Sequence, residues 1–141
     1  MRSAGGTTTR RFYMPEKHYV HIQLLNRPES LPIRARYCDT FFCQLRGFTF
    51  RRSILPDEAL LLVQARDNRL EAGIHMLGVW FDLSVFWIDS QGIVVDSVLA
   101  RRWRPAYLPK RPARYILEMA PGRQHELHVG DLVSIEKISL V

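Results

Sequence analysis

The sequence predicts a mainly β fold with a minor α component: a compact, single-domain antiparallel β-barrel or sandwich with one or two short helices. Three observations lead there. From Tyr19 onward apolar and polar residues alternate with a period of two, the mark of strands that bury one face. The chain has 141 residues, near the usual size of one domain and too short for two comfortable cores. Its composition, 47% apolar and 24% charged, belongs to an ordinary globular protein and not to a disordered, collagenous or disulfide-dense chain. No internal repeat or interdomain linker interrupts the pattern, so the chain divides into a flexible basic arm over residues 1–18 and a β-rich domain over residues 19–141.

The elements follow in order. Val20, Ile22 and Leu24 alternate with His21 and Gln23, and Ile33, Ala35 and Tyr37 alternate with Arg34 and Arg36. These are two antiparallel strands joined by the loop from Arg27 to Pro32. Asp39 to Phe48 sets Phe41, Phe42, Leu45 and Phe48 at helical spacing; Asp39 or Thr40 can cap the first free N–H groups, and Gly47 can end the turn. Ala59 to Val63 is a short aliphatic run bounded by Pro56 and the polar Gln64 to Arg69, which suits a fully buried strand, although its leucines leave a helix open. The clearest strand is Val79 to Ile88. Val79, Phe81, Leu83, Val85 and Trp87 form one face, and Trp80, Asp82, Ser84, Phe86 and Ile88 the other. Asp89-Ser90-Gln91-Gly92 has the chemistry of a tight turn, and Ile93 to Leu99 returns as its partner. Ala113 to Met119 alternates again, Pro121-Gly122 breaks it, and Arg123 to Leu127 leaves room for one helical turn. Gly130-Asp131 then turns into a last strand from Leu132 to Ile138.

Several function classes are excluded or disfavoured at once. The longest unbroken apolar run, Ala59 to Val63, is far below the ~20 residues that span a bilayer. Met1 to Tyr13 has basic residues but no apolar segment behind them, unlike a secretory signal, so a cytoplasmic location is the default. Cys38 and Cys43 fit neither a C-x-x-C redox motif nor half of a zinc site, which predicts a reduced, metal-free chain. His18 with His21, and His125 with His128, lack a carboxylate or cysteine at a familiar spacing to complete a metal site. No cofactor is expected.

The net charge is +6 and the isoelectric point near 9.8. The stretch from Arg101 to Arg114 holds Arg101, Arg102, Arg104, Lys110, Arg111 and Arg114 without an acid, so it carries the whole excess. Trp103 and Tyr107 interleave with these cations, and Pro105, Pro109 and Pro112 prevent a regular helix or central strand. Guanidinium groups beside aromatic rings suit single-stranded nucleic acid, phosphates on the one and bases on the other. The arm adds Arg2, Arg10 and Arg11 in a Gly- and Thr-rich stretch.

Larger patterns emerge when these segments are put in order. They are the run Thr40-Phe41-Phe42-Cys43-Gln44-Leu45-Arg46-Gly47-Phe48-Thr49, the block from Ile74-His75 through Ile88-Asp89, Trp103-Arg104-Pro105, Tyr115 to Gly122, and Gly130-Asp131. From about Ala35 to Glu136 the chain resembles the bacterial and archaeal family known as domain of unknown function 192. Members of that family show a T-x-x-E-R-x-x-G-L-M helix, an I-H-x-x-x-M-x-x-P-I-D-V-V-F-L-D block, W-R-P, Y-V-L-E-x-P-x-G and a closing G-D. The resemblance implies a compact β-rich fold with a small helix and no established activity. The chain departs from the pattern at Cys43, where the family places the Glu of a capping box, at Asp82-Leu83-Ser84, where the carboxylate falls two positions early, and at Glu126, where the family has Gly.

A catalytic reading would rest on Ser84, Asp82 and His75, but nothing in the spacing brings a base to a nucleophile. No G-x-S-x-G, G-x-x-x-x-G-K-[ST] or H-E-x-x-H motif is present. The sequence therefore favours a non-enzymatic module that binds a small ligand or a protein. Its site is Trp80, Asp82 and Ser84 on one strand face, with His75 before the strand and Trp103 and Arg104 after its partner; an anionic or sugar-like ligand would suit Arg104 and Trp80. The alternative is weak nucleic-acid binding through Arg101, Arg102, Trp103, Arg104, Tyr107, Lys110, Arg111 and Arg114.

Overall fold

A computed structural model of the chain describes residues 18–138. The three arginines of the expected basic arm lie outside the described residues. The order of elements is β1 (Tyr19–Leu24), β2 (Ile33–Cys38), α1 (Phe41–Arg46), β3 (Ala59–Asn68), β4 (Leu83–Ile88), β5 (Val94–Ala100), β6 (Ala113–Met119), a 3₁₀ turn at Pro121–Arg123, and β7 (Val133–Lys137).

All seven strands join one mixed sheet in the order β5-β4-β6-β3-β2-β1-β7. Every pair is antiparallel except β2 with β3, which run parallel because α1 and the segment behind it carry the chain back to the end where it started. The sheet curls without closing into a barrel. Its edge strands approach only where Ile93 bridges Leu132, and there the Val94 N–H donates to the Asp131 carbonyl (2.9 Å) and the Val133 N–H to that of Gly92 (2.8 Å). Gly92 is required at this closure: its φ is +87°, and a Cβ would lie 2.3 Å from the Val133 carbonyl oxygen.

Both faces of the sheet are covered, which decides where polar side chains can go. The concave face gathers Val20, Ile22, Ile33, Ala35, Leu61, Phe86, Leu117 and Val133 into one core. The convex face packs Leu62, Leu83, Val85, Trp87 and Ile116 beneath Phe48, Met76 and Val79. The Trp87 indole N–H donates to the Ala72 carbonyl (2.8 Å) and so ties that cover to β4.

The first hairpin, the Asp89 to Gly92 turn and the strand at β6 form as the alternation predicts. The Asp89 carboxylate accepts from the N–H groups of Gln91 and Ile93, both at 3.0 Å. Other expectations need correction. Ala59 to Val63 is the buried strand that its aliphatic run suits, but its extent differs: it runs on through the polar segment to Asn68 beside β6. The strand expected from Val79 begins only at Leu83, and all six of its residues are buried because β5 and β6 flank it and both faces are packed. The single turn expected after Pro121-Gly122 starts at Pro121 itself, where the missing N–H costs nothing. Cys38 and Cys43, read as reduced thiols, are joined by a disulfide.

That bond anchors α1. Phe41, Phe42 and Leu45 are exposed, so the apolar spacing of this helix does not seat it. It is held by Cys43, by the Thr40 Oγ1 cap on the Cys43 N–H (3.2 Å), and by Gln44, whose amide donates to the carbonyls of Val63 (2.7 Å) and Cys38 (3.3 Å).

Candidate functional site

The structure brings together only part of the set of six residues that the sequence proposes for a ligand site, Trp80, Asp82 and Ser84 on one strand face with His75, Trp103 and Arg104 beside them. Trp80 and Trp103 do meet. Their rings pack edge to face with centroids 5.1 Å apart, and each is about half exposed. Trp103 has a φ of +64°, a left-handed backbone that costs a bulky residue about 1–3 kcal/mol. Its N–H, donating to the Met76 carbonyl at 2.9 Å, helps hold it there. Asp82 points at the start of the basic loop. It accepts from the Arg102 N–H (2.9 Å) and from Arg101 Nη1 (3.2 Å), and the Arg102 bond first, with Arg101 behind it, holds its carboxyl below the ordinary value. Ser84 is buried, and its hydroxyl donates to the carbonyls of Ala120 (2.8 Å) and Pro121 (3.1 Å). It takes no part in a surface with Trp80. Arg104 is exposed, its carbonyl accepting from the Met76 N–H (2.9 Å), and His75 is exposed at the rim of a small cavity elsewhere.

The basic loop is extended but pinned. Tyr107 pairs with Ile74 in an isolated bridge, and its phenol oxygen accepts from the Arg101 N–H (2.8 Å). The Lys110 N–H donates to Asp96 (2.9 Å), and Arg69 donates to the Pro109 carbonyl (2.9 Å). Arg114 lies along β6, with its Nε donating to the Gln64 carbonyl (3.1 Å). Arg104, Lys110 and Arg111 are exposed, and no ion pair among the described residues engages them.

A second concentration of positive charge lies elsewhere. A cavity of about 690 Å³ is lined by Arg34 and Arg36 of β2, Arg46 of α1, Arg51 of the loop behind it, and Arg123 of the 3₁₀ turn. The local folding explains how they converge. Ile33 and Ala35 face the concave core, so Arg34 and Arg36 must face outward. Arg46 sits in the last turn of α1, where a cation complements the helix carbonyls. Arg51 is taken up by Glu58 through a forked pair at 2.5 and 2.6 Å. Arg34 stacks 4.1 Å over the Tyr19 ring, and neither it nor Arg36 nor Arg46 has an ion-pair partner among the described residues. Arg123 donates to Glu126 through Nε and Nη2, while its Nη1 is buried and has no acceptor among the described residues. Asp57 and Glu58 are the acids of this cleft, and Glu58 faces Arg51.

This cleft was not legible as a site in the sequence. Its one local signal is the alternation of Arg34 and Arg36 opposite Ile33 and Ala35; Arg46, Arg51 and Arg123 join it only through the tertiary fold. Among the described residues no three His, Cys, Asp or Glu side chains converge as a metal site, and no helix is long and apolar enough to cross a membrane.

Comparison with known proteins follows from this architecture. Residues 23–135 match the model of the family domain of unknown function 192, described as Uncharacterized ACR. The chain belongs to that family. It is 42% identical over 98 residues to a UPF0127 protein of Thermococcus gammatolerans, covering 68% of this chain and 62% of that one. A relative in Thermococcus kodakarensis is 37% identical, with 72% of this chain and 64% of that one covered. The chain thus spans somewhat less than two thirds of these curated relatives. A shorter relative in Pyrococcus furiosus is 32% identical, with 76% of this chain and 90% of that one covered. Two crystal structures share the fold. One is of a Sinorhizobium meliloti protein assigned provisionally to transcription regulation (TM-score 0.71, 16% identity, 85% of this chain and 94% of that one). The other is of a Novosphingobium aromaticivorans protein of unknown function (TM-score 0.70, 17% identity, 82% and 83%).

Two marks of the domain of unknown function 192 pattern acquire physical reasons here. The closing Gly130-Asp131 is a structural lock. Asp131, nearly buried, accepts from Asn26 Nδ2 (3.0 Å), Arg27 Nη2 (3.0 Å) and the His128 N–H (2.8 Å), so the first interstrand loop is tied to the turn before β7. Burial pushes this carboxyl up, but those donors outweigh it and hold it below its ordinary value. At the helix, Cys43 departs from the family's Glu. Its N–H still donates to the Thr40 cap, and the disulfide to Cys38 supplies the second tie.

Proposed function

We propose that this domain is a non-catalytic binding module that holds a small anionic ligand, one bearing phosphate or carboxylate groups, in the arginine-lined cleft. One observation carries the reading: among the described residues Arg34, Arg36 and Arg46 stand without carboxylate partners around a cavity of about 690 Å³, and the buried Nη1 of Arg123 beside them has no acceptor. Leaving a buried donor unsatisfied costs about 1–3 kcal/mol, a cost that a ligand oxygen removes. The volume falls within the roughly 300–1,000 Å³ of small-molecule sites. The absence of catalysis is supported by Ser84, whose hydroxyl is spent on two backbone carbonyls, and by His75, which lines a different cavity.

The test is calorimetric titration with inorganic phosphate and pyrophosphate, on wild type and on Arg34→Ala and Arg46→Ala. Forked guanidinium contacts to an anion contribute about 1.5–3 kcal/mol each, so each variant is expected to bind roughly 10- to 100-fold more weakly. Equal binding by wild type and both variants, or no binding by the wild type, overturns the reading.

Nucleic-acid binding is a second reading, favoured by the exposed Trp103 on the same loop as Arg104, Lys110 and Arg111, which have no ion-pair partner among the described residues. It predicts that anisotropy of labelled single-stranded RNA rises with protein, weakens steeply between about 50 and 200 mM salt, and is lost in Trp103→Ala. A cytoplasmic location belongs to the proposal as well. The Cys38–Cys43 disulfide bears on it, since such bonds persist in oxidising compartments or in the cytosol of some heat-adapted organisms. Alkylation trapping of the two thiols in intact cells tests it: a reduced pair supports a reducing cytosol.

A further inference from the structure

A second cavity, of about 120 Å³, lies on the convex side of the sheet, under α1 and the segment around His75 and Met76. Glu118 of β6 forms part of its wall. In register this residue sits between Leu60 of β3 and Val85 of β4, where both neighbours are apolar. It is only 7% exposed, yet among the described residues its carboxyl group has no hydrogen-bond donor and no cation. The side-chain amides in the wall do not serve it. Gln44 and Gln64 bond to each other (3.1 Å), and Gln44 also donates to the Val63 carbonyl (2.7 Å). No lysine or arginine lines the space.

A carboxylate in such a place is costly unless something pairs with it. Core packing does not call for one, since an apolar residue would fill the position between Leu60 and Val85. We infer that this cavity is a binding site for a small organic cation, a primary ammonium or an amidinium, with Glu118 as its counter-ion. The wall offers what such a group needs: a buried acid, and apolar Phe48, Met76 and Val79 for a short hydrocarbon tail. At about 30 Å³ per water, the space holds about four waters or an amine of propyl size. The charge state fits as well, because burial pushes the Glu118 carboxyl up to about 7, so that near neutral pH a cation can convert it to its ionised form. The other ionisable groups in the wall are Glu71, which is paired with Arg66 at 2.9 Å, and the exposed His75. This site shares Gly47 and Phe48 with the arginine cleft but none of its arginines, so Arg34→Ala and Arg46→Ala remove no group that lines it.

The experiment is calorimetric titration of the full chain with propylammonium chloride at pH 8.5 and pH 6, with 1-propanol as the neutral control. Saturable binding at pH 8.5, roughly tenfold weaker per pH unit below 7 and absent with propanol and in Glu118→Gln, supports the site. Titration of the wild type at pH 6 in two buffers of different ionisation enthalpy should also report release of up to one proton, a readout that survives even if the variant fails to fold. Three results would each overturn the inference: no saturable binding at pH 8.5, equal binding by a folded Glu118→Gln, or binding without proton release at pH 6.

Discussion

Replacing Glu118 with Gln should make the protein more stable as pH rises, relative to wild type. The carboxyl is nearly buried without a partner, and its pKa moves from 4.5 to about 7 on folding. Between those values the folded state binds more protons than the unfolded one, so wild-type stability falls as pH rises through that window and stays lowered above it. At about 1.4 kcal/mol per pKa unit, the full shift is worth roughly 3 kcal/mol at pH 8, and linkage places most of it in the interval from pH 5 to pH 8. The glutamine does not titrate. It carries whatever cost its own buried amide brings, but that cost is the same at both pH values. The diagnostic quantity is therefore the change in the wild-type-minus-variant difference between pH 5 and pH 8, about 2–3 kcal/mol or roughly 10 °C in Tm for a domain of this size. Urea melts of both proteins at the two pH values measure it. A difference that stays constant from pH 5 to pH 8 would refute the reasoning, since it would mean that Glu118 ionises as readily in the fold as in water. Adding propylammonium should recover part of the loss at pH 8 in wild type alone.

Other outcomes follow from the same contacts. Asp131→Ala removes the acceptor for Asn26, Arg27 and the His128 N–H, and is expected to cost about 2–3 kcal/mol by denaturant unfolding. Because this carboxyl lies below its ordinary value in the fold, its stabilisation is fully present above about pH 4 and disappears as pH falls through the folded value, so wild type and variant should converge in acid melts. Reducing Cys38–Cys43 reopens a loop of about six residues, worth about 2 kcal/mol in chain entropy, and should weaken phosphate binding because Cys43 and Arg46 share α1 and the cleft wall. Ser84→Ala should cost about 1 kcal/mol and leave ligand affinity unchanged; a selective loss of affinity would return Ser84 to the binding surface.

What was legible in the sequence is what local chemistry decides. The alternation of Val20, Ile22 and Leu24, the Asp89 to Gly92 turn and the Thr40 cap with Gly47 are written in residues a few positions apart, and each forms as read. So are the family's marks, because they are themselves local patterns. The tertiary structure decided whatever depends on which surfaces meet. Whether Ala59 to Val63 was strand or helix turned on β6 lying beside it, and the two buried faces of β4 came from its place between β5 and β6. The Cys38–Cys43 bond required the turn into α1 to bring the two thiols together. Ser84 left the expected ligand face because the Ala120 carbonyl waits over β4. The arginine cleft draws on positions from 34 to 123, and the isolation of Glu118 is a statement about what does not lie near it. Period and spacing describe one strand's two faces, but which face meets water, a neighbouring strand or an empty cavity is settled only when the chain closes on itself.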